Sequence, residues 1–122
     1  MPSHPFTKTQ RVRRRGEFQH IFDIGYRIST RYFTLLLAPG TSSTPRLGIV
    51  ASKKLGDAVR RNRAKRLIRE VFRHIDGSRG AAVDVVVIPR RELFDALYTD
   101  LQREFHAAWR RGASRIRQAD AG

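Results

Sequence analysis

Apolar residues recur along this chain in two rhythms, and the changes of rhythm mark its elements. Phe18, Ile21 and Phe22 stand at i, i+3 and i+4, the spacing of a short amphipathic helix that Gly25 can end. Residues 28–38, with YFTLLLA at their centre, are rich in β-branched, aromatic and aliphatic side chains and read as a strand, with a shorter one before it. PGTSSTP is a turn cluster, and RLGIVAS, with Leu47, Ile49 and Ala51 on one face, is the next strand. Gly56 stops it and Asp57 suits a helix N-cap. From there Ala64, Leu67, Ile68, Val71, Phe72 and Ile75 fall within an arc of roughly 140° on a helical wheel. DGSRGAA breaks this helix. VDVVVI is nearly unbroken apolar sequence, as expected of a strand covered on both faces. In the last segment Phe94, Leu97, Tyr98, Leu101, Phe105, Ala108 and Trp109 form one predicted helical stripe, which Gly112 suits as a C-terminal cap.

The order is helix, one or two strands, strand, helix, strand, helix. That is an α+β fold, a small α/β sandwich with helices packed on a sheet. The chain's 122 residues, 40% of them hydrophobic, fit one core. The expected division is a loose N-terminal arm at 1–10, a single domain at 11–112 and a frayed C-terminal tail at 113–122.

Charge adds a second face to the central helix. The chain carries a net +14 at pH 7, which self-repels unless a polyanion offsets it. Within residues 51–73, Lys53, Lys54, Arg60, Arg61, Arg63, Lys65, Arg66, Arg69 and Arg73 are opposed only by Asp57 and Glu70. On the wheel, Asn62, Lys65, Arg66, Arg69 and Arg73 gather opposite the apolar arc, Arg63 borders them, and Arg60 and Arg61 occupy the first turn. Solvated helix faces ordinarily mix signs, because i,i+4 acid–base pairs stabilise them. A one-signed face rich in arginine points to phosphate recognition. Aromatics at Phe18, Phe22, Tyr32 and Phe33 precede it and suit either the core or the stacking of unpaired bases.

No hydrolytic constellation accompanies the charge. The four histidines, His4, His20, His74 and His106, lack metal-ligand spacing, and the acids form no paired-carboxylate cluster. GxGxxG and GxxxxGK[ST] are absent. Without cysteine there is neither disulfide nor thiolate metal site, which fits a reducing cytoplasm. No apolar run approaches the ~20 residues of a membrane span.

SKKLGDAVRRNRAKRLIRE resembles the signature of the bacterial ribonuclease P protein family, an Arg-Asn-Arg helix after a Lys-Lys and Gly segment. Lys53-Lys54, Gly56, Arg61-Asn62-Arg63, Lys65-Arg66 and Arg69-Glu70 carry the match. EFQHIF and RLGIVAS agree in order and spacing, so the resemblance extends over residues 11–111. It implies an αβββαβα order with a left-handed βαβ crossover, and assembly with a catalytic RNA that uses magnesium to cleave the 5′ leader from precursor tRNA. By that resemblance Lys53, Lys54, Arg60, Arg61, Asn62, Arg63, Lys65, Arg66, Arg69 and Arg73 face the catalytic RNA. Phe18, Phe22, Tyr32, Phe33 and Leu36 line a cleft for the single-stranded leader. Two positions depart from the family pattern: Asp57 stands where Asn is common, and Leu36 where a Tyr often stands. The alternative is a general basic RNA-binding or ribosome-associated protein with no role in cleavage. A membrane-surface module is disfavoured because strands cover the helix's apolar face. A DNA reader is disfavoured because no helix-turn-helix or zinc pattern is present.

Overall fold

The computed structural model describes residues 11–12, 14–40, 44–75 and 83–121, the side chains of the last three aside. The arm at 1–10, the middle of the PGTSSTP turn and the break at 76–82 lie outside them. Helix α1 (Arg15–Ile24) is followed by strands β1 (Tyr26–Ser29), β2 (Phe33–Pro39) and β3 (Arg46–Ile49). Helix α2 (Ala58–Arg73), strand β4 (Val83–Pro89) and helix α3 (Tyr98–Ala121) complete the predicted order.

The strands form one sheet in the order β1-β2-β4-β3. β2 pairs antiparallel with β1 and β4, and β3 runs parallel to β4, so α2 is the crossover between two adjacent strands. β4 lies inside the sheet with a helix layer on each side, which is why its sequence is apolar at successive positions.

Strand parity sorts the core into two layers. Phe33, Leu35, Leu37, Val83, Val85, Val87, Leu47 and Ile28 pack with Ala64, Ile68, Val71 and Phe72 of α2 and Leu101, Phe105 and Ala108 of α3. On the other face, Leu36, Ala38 and Val86 meet Val12 and Ile21, with Phe18 against them. The sheet is thus sandwiched between α1 and the α2–α3 pair. The predicted apolar arc of α2 is the side that packs, with Leu67 and Ile75 half-buried at its margins. Asp57 caps the helix, its Oδ1 accepting from Arg60 N at 3.0 Å.

The final segment differs from its sequence reading. Residues Arg91–Asp95 form a short 3-10 helix, and α3 begins afresh at Tyr98. The break shifts the helical phase, so Leu97 stays outside the packed stripe at 69% exposure. Helix α3 does not stop at Gly112 but continues to Ala121, with Ala113 and Ile116 buried. Gly112 is there for space: an added Cβ would lie 2.6 Å from Leu37 Cδ1. Gly112→Ala is therefore expected to destabilise by about 1–3 kcal/mol, an overpacking cost larger than alanine's helix-propensity gain. Urea unfolding checks this; an unchanged midpoint would show that Leu37 yields freely.

Candidate nucleic-acid interface

The basic stripe rests on α2's packing. With Ala64, Ile68, Val71 and Phe72 buried, the opposite side of the helix is turned to solvent. Arg60, Asn62, Arg63 and Arg66 are exposed, while Arg61, Lys65, Arg69 and Arg73 are half-buried. Arg73 meets Glu70 at 3.3 Å. Among the described residues, Arg61, Arg63, Lys65, Arg66 and Arg69 make no ion pair. Lys53 and Lys54 are exposed in a 3-10 turn (Lys53–Leu55) that leads from β3 toward α2. Gly56, at φ +131°, turns the chain between them in a region that side chains beyond glycine rarely adopt.

One flank of the stripe opens into a pocket of about 140 Å³ between α2, β3 and α1. Lys65 and Arg69 line it from α2, Phe18 from α1, Gly48 and Ile49 from β3, and Arg11 and Val12 from the segment before α1. Val12 N donates to Leu47 O at 2.9 Å, so this segment covers the free edge of β3. Gly48 lets Phe18 approach the strand; a Cβ there would be 2.7 Å from the ring. Arg69's pKa is lowered, first by desolvation and then by the charge of Arg11. Among the described residues no acid lines the pocket. Like charges held together this way are relieved by an anion.

The sheet face under α1 continues the pocket. Its middle is covered, leaving Leu36 only 2% exposed. Register places Arg27 and Ser29 of β1 and Ile88 of β4 on this same face. Ser29 Oγ lies 3.5 Å from Thr34 Oγ1, and Arg90 donates to Thr34 Oγ1 at 3.2 Å. Phe22, 39% exposed, lies one turn after Phe18 on α1. This face of the sheet thus carries the hydroxyls of Ser29 and Thr34 beside the guanidinium of Arg90.

The five aromatic and apolar cleft positions are not all brought together. Phe18, Phe22 and Leu36 lie on the α1 side. Phe33 is on the opposite face, fully buried, its ring 5.5 Å from that of Phe105. Tyr32 also belongs to that core, beneath the guanidinium of Arg31 at 5.8 Å. Leu36 faces the α1 side but is sealed under the helix. Arg11 lines the pocket, and Arg27, Thr34 and Arg90 lie beside this face, though none of the four was assigned to the site from the sequence. Alternation within β1 was the signal for Arg27.

α1 is fixed over the sheet by buried charge. Arg46 at the start of β3 donates to both Asp84 oxygens, at 2.9 and 2.8 Å, and to Glu17 Oε2 of α1 at 2.6 Å. Its pKa is raised, chiefly by the hydrogen bonds to Asp84, so the guanidinium stays charged throughout the ordinary pH range. Glu17 also accepts from Arg14 N at 3.0 Å at the helix start.

Comparison with known proteins decides the family. The family model for Ribonuclease P matches residues 6–113. The chain belongs to the ribonuclease P protein family. Family members are the protein component of the ribonucleoprotein that processes tRNA 5′ ends, and ribonuclease P is an endoribonuclease. The ribonuclease P protein component of Syntrophus aciditrophicus is 39% identical over 97 residues, covering 80% of this chain and 82% of that one. That of Chromohalobacter salexigens is 38% identical over 121 residues, covering 97% and 93%. Among solved structures, a Staphylococcus aureus RNase P protein, a mutant with defective mRNA degradation activity, superposes with a TM-score of 0.74 at 34% identity. It covers 84% of this chain and 87% of its own. The Thermotoga maritima RNase P protein gives 0.69 at 35% identity, covering 78% and 90%. Among the described residues no group of three or more His, Cys, Asp or Glu side chains is placed to hold a metal, and no helix is long and apolar enough to cross a membrane.

The unpaired cations of this ribonuclease P protein carry an expected result of their own. Sulfate or phosphate, compared with chloride at equal ionic strength, is expected to raise the melting temperature. An anion at a hundred times its dissociation constant adds about 2.7 kcal/mol. Identical melts in sulfate and chloride would contradict anion binding at these sites.

Proposed function

We propose that the protein binds the catalytic RNA of ribonuclease P through the exposed side of α2 and holds the 5′ leader of precursor tRNA in the cleft beside α1. The observation that carries this is the one-signed stripe of α2 opening directly into the pocket floored by Phe18. Arg61, Arg63, Lys65, Arg66 and Arg69, bordered by Lys53, Lys54, Arg60 and Arg73, neutralise phosphates of the RNA, and the amide of Asn62 hydrogen-bonds beside them. Phe22, and Phe18 at its edge, stack leader bases, while Arg27 and Arg90 hold the leader's backbone.

The described side chains include no paired carboxylates or nucleophile–base pair at this cleft, and the chemistry is assigned to the RNA. Magnesium would be held by the RNA's phosphates and would supply an activated water and charge stabilisation there. The protein's own work is to lower repulsion between two RNAs and to orient the leader. Precursor tRNA as substrate places this work in the cytoplasm, with no membrane or DNA partner.

Phe22→Ala tests the leader assignment, since Phe22 is exposed and its loss leaves the core whole. In the reconstituted complex, the preference for precursor over mature tRNA is expected to fall about tenfold, toward the lower end of ~1–3 kcal/mol for one base–aromatic stack. Affinity for the catalytic RNA should not change. An unaltered preference would remove Phe22 from the leader's path.

A further inference from the structure

We propose that the other flank of α2, facing the start of α3, is a second RNA-contact surface, where Leu97 and Tyr98 receive an unpaired base of the RNA partner beside Arg60 and Arg63. This deepens the RNA-binding reading above and rests on it.

Two adjacent large apolar residues stand in water here, Leu97 at 69% and Tyr98 at 37% exposure. Exposed apolar strips rimmed by charge mark contact sites more often than isolated apolar residues do. The strip is held rigidly. Phe94, just before it, packs on the core, and the guanidinium of Arg60 sits 5.6 Å from its ring centroid. Tyr98 lies close enough to Glu70 and Arg73 of α2 for both charges to act on its phenol, whose pKa is raised, first by desolvation. The strip therefore runs alongside α2.

Helical geometry separates this flank from the leader cleft. At about 100° per residue, Arg60, Arg63, Leu67 and Glu70 share one side of α2, and Arg61 and Lys65 share the other, which lines the Phe18 pocket. Glu70 is engaged by Arg73 at 3.3 Å and Asp100 by Arg103 at 3.5 Å, and the exposed Glu92 and Asp95 at this end are opposed by Arg60, Arg63 and Arg91. A polyanion with flat apolar groups meets both halves of this surface, and RNA is that ligand: phosphate for the guanidiniums, a base face for Tyr98 and Leu97. The strip is also continuous with the basic stripe, so one RNA could engage both.

The test uses the full chain with bacterial ribonuclease P RNA. The double variant Leu97→Ser/Tyr98→Ala changes exposed positions, and a thermal melt confirms that it folds. Its affinity for the RNA is expected to fall about tenfold, while the slope of log K against log salt stays that of the unmodified protein, because no phosphate contact is removed. Tyr98→Trp should keep the affinity, and its added fluorescence, read against the unmodified protein's Trp109, should be quenched when RNA binds. Affinity within twofold of the unmodified protein together with an unquenched Trp overturns the proposal. So does a self-associated protein that the double variant renders monomeric, which would make the strip a protein contact. Arg66→Ala separates the two readings: if it too leaves affinity and slope unchanged, RNA binding by α2 itself is wrong.

Discussion

Replacing Arg61, Arg63 and Arg66 together by alanine is expected to weaken binding to the catalytic RNA by about 10³-fold at moderate salt. Three charge-assisted contacts at about 1.5 kcal/mol each give that loss. The salt dependence should change with it. Each phosphate contact contributes about 0.7 to the slope on single-stranded nucleic acid and about 0.9 on a duplex, so three lost contacts flatten it by about two units or more. Stability should change little, since none of the three is ion-paired among the described residues, Arg63 and Arg66 are exposed, and Arg61 is half-buried in the first turn without belonging to the core. Removing three like charges from a chain of net +14 acts, if anything, in favour of the folded state. Filter binding across a salt series reads both quantities. Weaker binding with an unchanged slope would mean that these arginines shape the helix rather than touch phosphate.

Arg46→Ala is expected to be the most damaging single change to the fold. It removes the guanidinium that bridges Glu17 and Asp84 and leaves Asp84, with a side chain only 7% exposed, without that partner. Breaking a buried pair by removing one partner costs about 3–5 kcal/mol. Because Glu17 and Arg46 retain some exposure, the lower figure applies, which corresponds to a fall in melting temperature of about 10 °C or more. The loss also frees α1, and with it Phe18 and Phe22, from the sheet. Replacing the charges together, as Arg46→Met with Asp84→Leu and Glu17→Gln, should recover much of the stability, because no charge is then left buried alone. Thermal and urea melts of the two variants decide this. A single variant as stable as the unmodified protein would show that water reaches Asp84 and that the triad holds nothing.

The elements that could be read from the sequence are those with a local signal. Helix α2 announced itself through a capping acid at Asp57, an apolar arc and a basic arc, all within one turn-by-turn pattern. β4 was legible because a strand covered on both faces needs apolar residues in succession. That same property hid the facing of β2. Phe33, Leu35 and Leu37 go one way and Thr34, Leu36 and Ala38 the other, and both sets are largely apolar, so parity alone could not say which aromatics reach the cleft. The 3-10 break before α3 was invisible for a similar reason: its residues fit a helical stripe until the phase shift is known. Gly112 reads as a stop when only the chain is considered; its reason is Leu37, on a different element. Arg46 is the clearest case. A charged residue at a strand start looks solvated, and its partners lie 29 residues before it and 38 after it in the chain.

The most direct measurement is cleavage of a 5′-labelled precursor tRNA at low magnesium, with protein alone, bacterial ribonuclease P RNA alone, and both together. Cleavage at the mature 5′ end with both present, none with protein alone and little with RNA alone is the expected result. It should be weakened by the Arg61, Arg63 and Arg66 substitutions. If RNA alone cleaves equally well at the same magnesium, or if protein alone cleaves, the protein is not the assisting subunit described here.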